Sequence, residues 1–175
     1  MAAPPGRPMS RRVRSYLSRP PERLVVGGYR HWLTGCATGT LTHWLAARDL
    51  YTSLLAADGA DMALAALGNF VATLGRCATC PLRFLPSGTD CVCRDEGLVL
   101  GLVAGIQCGD EEALHCAAAA LACRRRRDEM LVEAGAYALM LKSLGQLLMP
   151  IPADAIAGIA PGSPAVAPGG RPTYH

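Results

Sequence analysis

Proline is confined almost entirely to the two ends of this 175-residue chain. Of the 13 prolines, five lie in residues 1–21 and six in residues 150–175, so that only Pro81 and Pro86 lie between them. Because proline fixes φ and removes a backbone donor, neither end is expected to form regular helix or a central strand. The pattern predicts a basic flexible arm over 1–24, a folded body over 25–149, and a disordered tail rich in Pro, Ala and Gly over 150–175.

Composition excludes two broad classes of protein. Apolar residues make up 51% of the chain and charged residues only 18%, which is too apolar for a fully disordered protein. The longest apolar run, from Leu98 to Ile106, is shorter than the roughly 20 residues of a membrane helix, so no membrane span is predicted. The motifs of phosphate-binding loops, serine hydrolases, zinc proteases and dinucleotide-binding folds do not occur, so we do not expect an enzyme.

Hydrophobic spacing in the body is mostly helical. Helices are predicted from about Thr40 to Asp58-Gly59, from about Ala60 to Gly75, from Asp110 to about Cys123, and over about 128–148. Residues Leu98–Val103 are apolar without a helical period, which favours a short buried strand. The predicted fold is mainly α, with flexible termini and a small cysteine-rich, zinc-stabilised insert over residues 76–96.

The cysteine spacing of the insert predicts a structural zinc ion. Cys77 and Cys80 form a Cys-x2-Cys pair, and ten residues with two prolines and a glycine separate it from Cys91 and Cys93. Two thiolates at Cys-x2-Cys spacing can share one tetrahedral ion. Cys-x-Cys is a poorer chelating pair, so the alternates for one ligand of the second pair are Cys108, His115 and Cys116.

Two other interpretations of the cysteines remain open. Eight cysteines without a secretory signal indicate a reducing compartment, in which buried thiols behave as small hydrophobes. We expect that role for Cys36 and Cys123, each of which has apolar sequence neighbours. Alternatively, Cys77 and Cys80 could form a thioredoxin-like redox pair.

Arginine is concentrated in two places outside the insert. The arm carries the basic residues Arg11, Arg12 and Arg14, and a second run comprises Arg124, Arg125, Arg126 and Arg127. Such runs serve as nuclear localisation signals or contact nucleic acid. The second run also fits the end of a helix, where cations interact favourably with the helix dipole. An Arg-rich arm with few acids is also typical of a mitochondrial import signal.

Several segments resemble a viral protein family. The segment CATGTLTHW (Cys36–Trp44), the cysteines 77 and 80, PSGTDCV over residues 86–92, and the apolar Leu98–Leu100 stand in the order found in the larger early-region-four regulatory protein of adenoviruses. The resemblance extends over about residues 29–144. This chain is shorter than that family's members and lacks their elongin-binding pattern Ser/Thr/Pro-Leu-x3-Cys.

The resemblance implies a non-enzymatic adaptor that binds host proteins, among them ubiquitin-ligase components, and acts in the host nucleus. Small cysteine-rich accessory proteins of other large DNA viruses look similar at this level. The alternative function is a zinc-containing nucleic-acid-binding protein that uses the arm and Arg124–Arg127. A second alternative is a mitochondrial or thiol-redox protein.

Overall fold

The computed structural model describes residues 17–159, of which about 75% are helical. Within that range the chain forms seven α-helices and no strand. They are α1 (Pro20–Thr38), α2 (Leu41–Leu54), α3 (Ala57–Cys77), α4 (Arg94–Cys108), α5 (Glu111–Leu121), α6 (Arg127–Ser143) and α7 (Ala153–Ile159), with a 3₁₀ turn at Arg124–Arg126. The mainly α fold class is confirmed. No helix within residues 17–159 is long and apolar enough to cross a membrane.

Helix α4 lies at the centre of the fold. Every residue from Asp95 to Gly105 is buried, because α4 packs against α1, α5, α6 and α7. The strand predicted over Leu98–Val103 is therefore wrong. A helix that is covered on all sides needs apolar residues on all sides, so the 3.6-residue period by which helices are identified is absent from its sequence.

Helix α1 begins inside the segment that the sequence assigns to the basic arm. Pro20 and Pro21 occupy its first positions, where the missing backbone N–H costs nothing, and Leu24 is fully buried. The predicted boundary after residue 24 is thus placed too late. Residues 1–16, which carry the rest of the arm, lie outside the described residues.

Part of the predicted tail is also folded. Pro150 and Pro152 precede α7, and Ile156 of that helix is fully buried against Gly101 of α4. A backbone N–H at Met149 donates to Glu22 Oε1 at 2.8 Å, which connects this segment to α1. The prediction of disorder is therefore wrong for residues 153–159, and residues 160–175 lie outside the described part of the chain.

The ends of other helices differ from the sequence prediction by short distances. Asp58 and Gly59 lie in the first turn of α3, so they begin a helix where a helix end was predicted. Helix α6 ends at Ser143, and Gly145 just after it has a positive φ of 73°. The predicted helix over about 128–148 is therefore too long, and Leu148 is buried although it belongs to a non-helical segment. The helix predicted from Asp110 is confirmed. Asp110 is its N-cap, and the Asp110 carboxylate accepts a hydrogen bond from Ala113 N at 3.0 Å.

A pair of tyrosines joins three helices in the core. The hydroxyl groups of Tyr51 and Tyr137 lie 2.6 Å apart, and Tyr51 Oη donates to Leu24 O at 3.1 Å. Tyr137 also stacks on Phe70, with ring centroids 6.0 Å apart. Because all of these side chains are fully buried, the two hydroxyls satisfy each other where no water is available.

Candidate functional site

The segment over residues 78–93, which we call the cysteine loop, connects α3 to α4 without regular structure. A buried ion pair holds it in place. Arg30 Nε donates to Glu96 Oε1 at 2.7 Å, and both side chains are at most 4% exposed. The same guanidinium donates to Thr89 O at 2.7 Å and to Cys91 O, both of which belong to the loop.

The carboxylates at the start of α4 bind the loop from the other side. Glu96 accepts from the backbone N–H groups of Leu85 at 2.9 Å and Cys93 at 2.8 Å. Asp95 accepts from Arg83 N at 2.8 Å. The buried charged groups of Arg30, Asp95 and Glu96 thus hold both the first and the second half of the cysteine loop in place. The cysteine spacing predicts a zinc ion in that role.

The predicted zinc ligands differ in burial and lie on different elements of the fold. Cys77 is buried at the end of α3, Cys80 and Cys91 are exposed, and Cys93 is half-buried at the N-cap of α4. The alternates lie on other elements: Cys108 at the end of α4, and His115 and Cys116 on α5. Within residues 17–159 no three His, Cys, Asp or Glu side chains lie close enough together to hold a metal ion. The zinc ion stays a prediction of the cysteine spacing.

Cys77 has a neighbour that its sequence position does not indicate. Cys123 N donates to Cys77 O at 2.9 Å, and Thr79 N donates to Leu121 O at 3.3 Å, so that Ala78 and Ala122 form an isolated antiparallel bridge. Cys77 is fully buried, and Cys123 is half-buried. Burial, followed by the carboxylate of Glu129, raises the pKa of the Cys77 thiol.

An apolar groove lies beside the cysteine loop, with a volume of about 650 Å³. It is formed by the end of α1, the end of α3 and the first half of the loop. Its lining contains no charged side chain: Leu33, Cys36, Ala37, Gly75, Ala78, Cys80, Pro81, Leu82 and Phe84. An apolar lining of this kind suits an apolar ligand.

The arginines of the run Arg124–Arg127 have different surroundings. Arg126 binds the carboxylate of Glu129 through two hydrogen bonds of 3.0 Å and donates to Arg76 O at 2.9 Å. Arg124 and Arg125 are exposed, and neither forms an ion pair with a carboxylate of residues 17–159. The run stands after the end of α5 and before α6, so none of its arginines lies in the last turn of α5, where a cation interacts most favourably with the helix dipole. Arg11, Arg12 and Arg14 lie outside the described residues.

No known protein family, no curated protein and no solved structure matches this chain.

The two groups that organise this region, Arg30 and Glu96, leave no motif in the sequence. Arg30 and Glu96 are 66 positions apart, so sequence spacing alone does not connect them. An arginine inside the apolar stretch of α1 was the available signal, because a buried charge needs a partner. Cys123 was interpreted as an isolated small hydrophobe, and the structure instead places it opposite Cys77.

Proposed function

We propose that this chain is a non-enzymatic adaptor that binds a host protein, as the viral regulatory proteins whose segments it resembles do. The observation that carries the proposal is the apolar groove beside the cysteine loop. Its occupant is an uncharged, apolar segment of the partner, such as one face of an amphipathic helix.

The lining of the groove supports this choice of partner. Side chains that are apolar, partly exposed and free of charge lose little by desolvation, whereas a charged segment would have no counter-ion there. The cysteine loop forms one wall through Pro81, Leu82 and Phe84. Because the Arg30–Glu96 pair fixes that loop, the wall needs little ordering when the partner binds, and preformed sites bind with less entropic cost.

Two matched glycine variants test the groove. Gly75 lies in its lining, Gly135 lies in α6 outside it, and a Cβ at either position would meet nothing within 4 Å. Replacing either glycine by arginine therefore adds the same charge to a helix, and neither site is obstructed at Cβ. A photoreactive crosslinker on Cys36, which is exposed and lines the groove, identifies the partner in host cells. The affinity of the purified partner is then measured by calorimetry.

We expect Gly75→Arg to weaken binding by about tenfold or more, which corresponds to about 1.4 kcal/mol for a charge placed in an apolar contact. Gly135→Arg should bind as the wild type does. Equal binding by all three proteins, or equal loss in both variants, would reject the groove as the binding site. Self-association through the groove would appear as dimers of the purified chain in sedimentation experiments and would also reject the adaptor proposal.

The resemblance makes ubiquitin-ligase components the first partners to test, and the nucleus the first place to look. Replacing Arg11, Arg12 and Arg14 by alanine should reduce nuclear accumulation of a fusion that is too large to diffuse through nuclear pores. Cleavage of the arm in mitochondria would support the import alternative instead.

A nucleic-acid-binding function is the second candidate, favoured by the exposed pair Arg124 and Arg125. Contacts between arginine and phosphate release counter-ions, so binding would weaken steeply as salt rises. If this function holds, the variant Arg124→Ala/Arg125→Ala should have a shallower slope of log binding constant against log salt concentration for RNA or DNA, by the amount expected for about two phosphate contacts. Binding that is independent of salt would exclude it.

A further inference from the structure

We propose that Cys77 and Cys123 are the site of an intramolecular disulfide, which forms when the protein reacts with a low-molecular-weight disulfide such as oxidised glutathione. This inference does not depend on the adaptor function. It differs from a Cys77–Cys80 redox pair, because the second thiol comes from the connection between α5 and the 3₁₀ turn.

The backbone geometry brings the two cysteines together. They flank the antiparallel bridge of Ala78 and Ala122 on the same side, and the Cys123 N–H donates to the Cys77 carbonyl at 2.9 Å. Residues that face each other across an antiparallel pair in hydrogen-bonded positions have Cα atoms about 5.5 Å apart and side chains on one face. Cys77, the last residue of α3, forms one of the two backbone hydrogen bonds of such a pair with Cys123. Disulfides span Cα distances of about 4.4–6.8 Å, so a sulfur–sulfur bond is within reach of two residues placed in this way.

Exposure gives the two thiols different roles. Cys123 is partly exposed and can meet a dissolved disulfide, whereas Cys77 is fully buried. The backbone N–H of Arg126 donates to Cys123 O at 3.1 Å, and the same arginine binds Arg76 O beside Cys77. These two hydrogen bonds hold the chain segments that carry the two cysteines against each other.

The reaction has two balanced steps. The Cys123 thiolate attacks one sulfur of oxidised glutathione, forming a mixed disulfide and releasing one glutathione thiolate. The Cys77 thiolate then attacks the Cys123 sulfur, forming the protein disulfide and releasing the second glutathione. The two protons lost by the protein are taken up by the two glutathione thiolates. The protein thiols are thereby oxidised by two electrons, and oxidised glutathione is reduced.

The test uses the full chain in glutathione buffers of stepped oxidised-to-reduced ratio, with peptide mass spectrometry and zinc analysis of every sample. In the wild type we expect the loss of both thiols and a peptide that links residues 77 and 123. In Cys123→Ser the Cys77 thiol should remain. In Cys77→Ala, glutathione should remain on Cys123.

Three results would overturn the proposal. A disulfide between Cys77 and Cys80 would support the redox pair expected from the sequence. Persistent glutathione on Cys123 of the wild type would mean that Cys77 cannot reach it. If the thiols of Cys77 and Cys123 persist at every ratio of oxidised to reduced glutathione, the pair is not a disulfide site, whether or not zinc is bound.

Discussion

Arg30 and Glu96 form an ion pair that is almost completely inaccessible to solvent, with the guanidinium Nε 2.7 Å from the carboxylate. Every other contact of the two groups reaches the cysteine loop or its junction with α4. Taking two charges out of water is costly, and it is repaid only when the remaining hydrogen-bonding positions are filled. Here they are filled by the backbone of the loop, so the position of the loop depends on the pair.

We expect Arg30→Met to lower the free energy of unfolding by about 3–5 kcal/mol, because it leaves the Glu96 charge buried without a counter-ion. Arg48→Ala is the control, since the Arg48–Asp61 pair is 59% exposed on both sides and such pairs contribute about 0–1 kcal/mol. Urea unfolding followed by circular dichroism measures both. A cost for Arg30→Met no greater than that of the control would contradict the assignment.

The tyrosine pair predicts a difference between two similar variants. Tyr137→Phe removes one hydrogen bond and leaves Tyr51 its contact with Leu24 O, so it should cost about 0.5–1.5 kcal/mol. Tyr51→Phe leaves the Tyr137 hydroxyl without a partner in the core, and about 1–3 kcal/mol is expected for one unsatisfied buried group. It also removes the hydrogen bond to Leu24 O, a carbonyl that remains within helix α1. Chemical unfolding of the two variants should rank Tyr51→Phe as the less stable. The reverse order would mean that water enters the core at Tyr51.

Close packing of α1 against this pair leads to a prediction for Gly28. A Cβ there would lie 2.7 Å from Tyr51 Oη and 2.8 Å from Leu67 Cδ2, so Gly28→Ala should destabilise the protein by about 1–3 kcal/mol. Gly135 is also helical but faces open space, and Gly135→Ala should stabilise by about 0.5–1 kcal/mol. Thermal unfolding gives the sign of each effect. Two shifts of the same sign would show that packing at Gly28 does not decide the outcome.

The sequence predicted those elements whose signals are local. The helix after Asp110 could be found because an N-cap, an acidic first turn and a run of alanines stand together, and the structure confirms it. The helix over Leu98–Val103 could not, because burial on every side removes its periodicity. Contacts between distant positions, such as Cys77 with Cys123, depend on how the fold brings the ends of α3 and α5 together, and no spacing within either segment records that.

Zinc binding by the full chain remains a direct prediction of the cysteine spacing. We expect about one zinc ion per chain and a loss of helical structure on chelation, because thiolate ligands bind metal only when folding has positioned them. Cys80→Ser should reduce the zinc content, whereas Cys36→Ser, which removes an equally exposed cysteine outside the insert, should not. Elemental analysis of the purified proteins measures both. A wild-type chain that contains no zinc, and whose circular dichroism is unchanged by a chelator, would remove zinc from the fold.

Three buried tyrosines should make the fold sensitive to alkaline pH. Burial raises the pKa of Tyr29, Tyr51 and Tyr137. The Asp95 carboxylate raises the pKa of Tyr29 further, and the neighbouring Tyr137 raises that of Tyr51 further. A tyrosine in the unfolded chain ionises near pH 10. Below that pH all three are protonated in both states, so their contribution to stability is complete. Above it the unfolded state loses protons that the folded state retains, and stability falls as pH rises.

We therefore expect the free energy of unfolding to be steady up to about pH 10 and to decline above it. The absorbance of phenolate should rise for these three residues only together with the loss of helical circular dichroism. Tyr137→Phe, which removes one of the three buried ionisable groups, should show a shallower decline than the wild type above pH 10, where each tyrosine contributes about 1.4 kcal/mol per pH unit. If all five tyrosines of the chain ionise while the helices remain intact, the core at Tyr51 and Tyr137 is open to solvent.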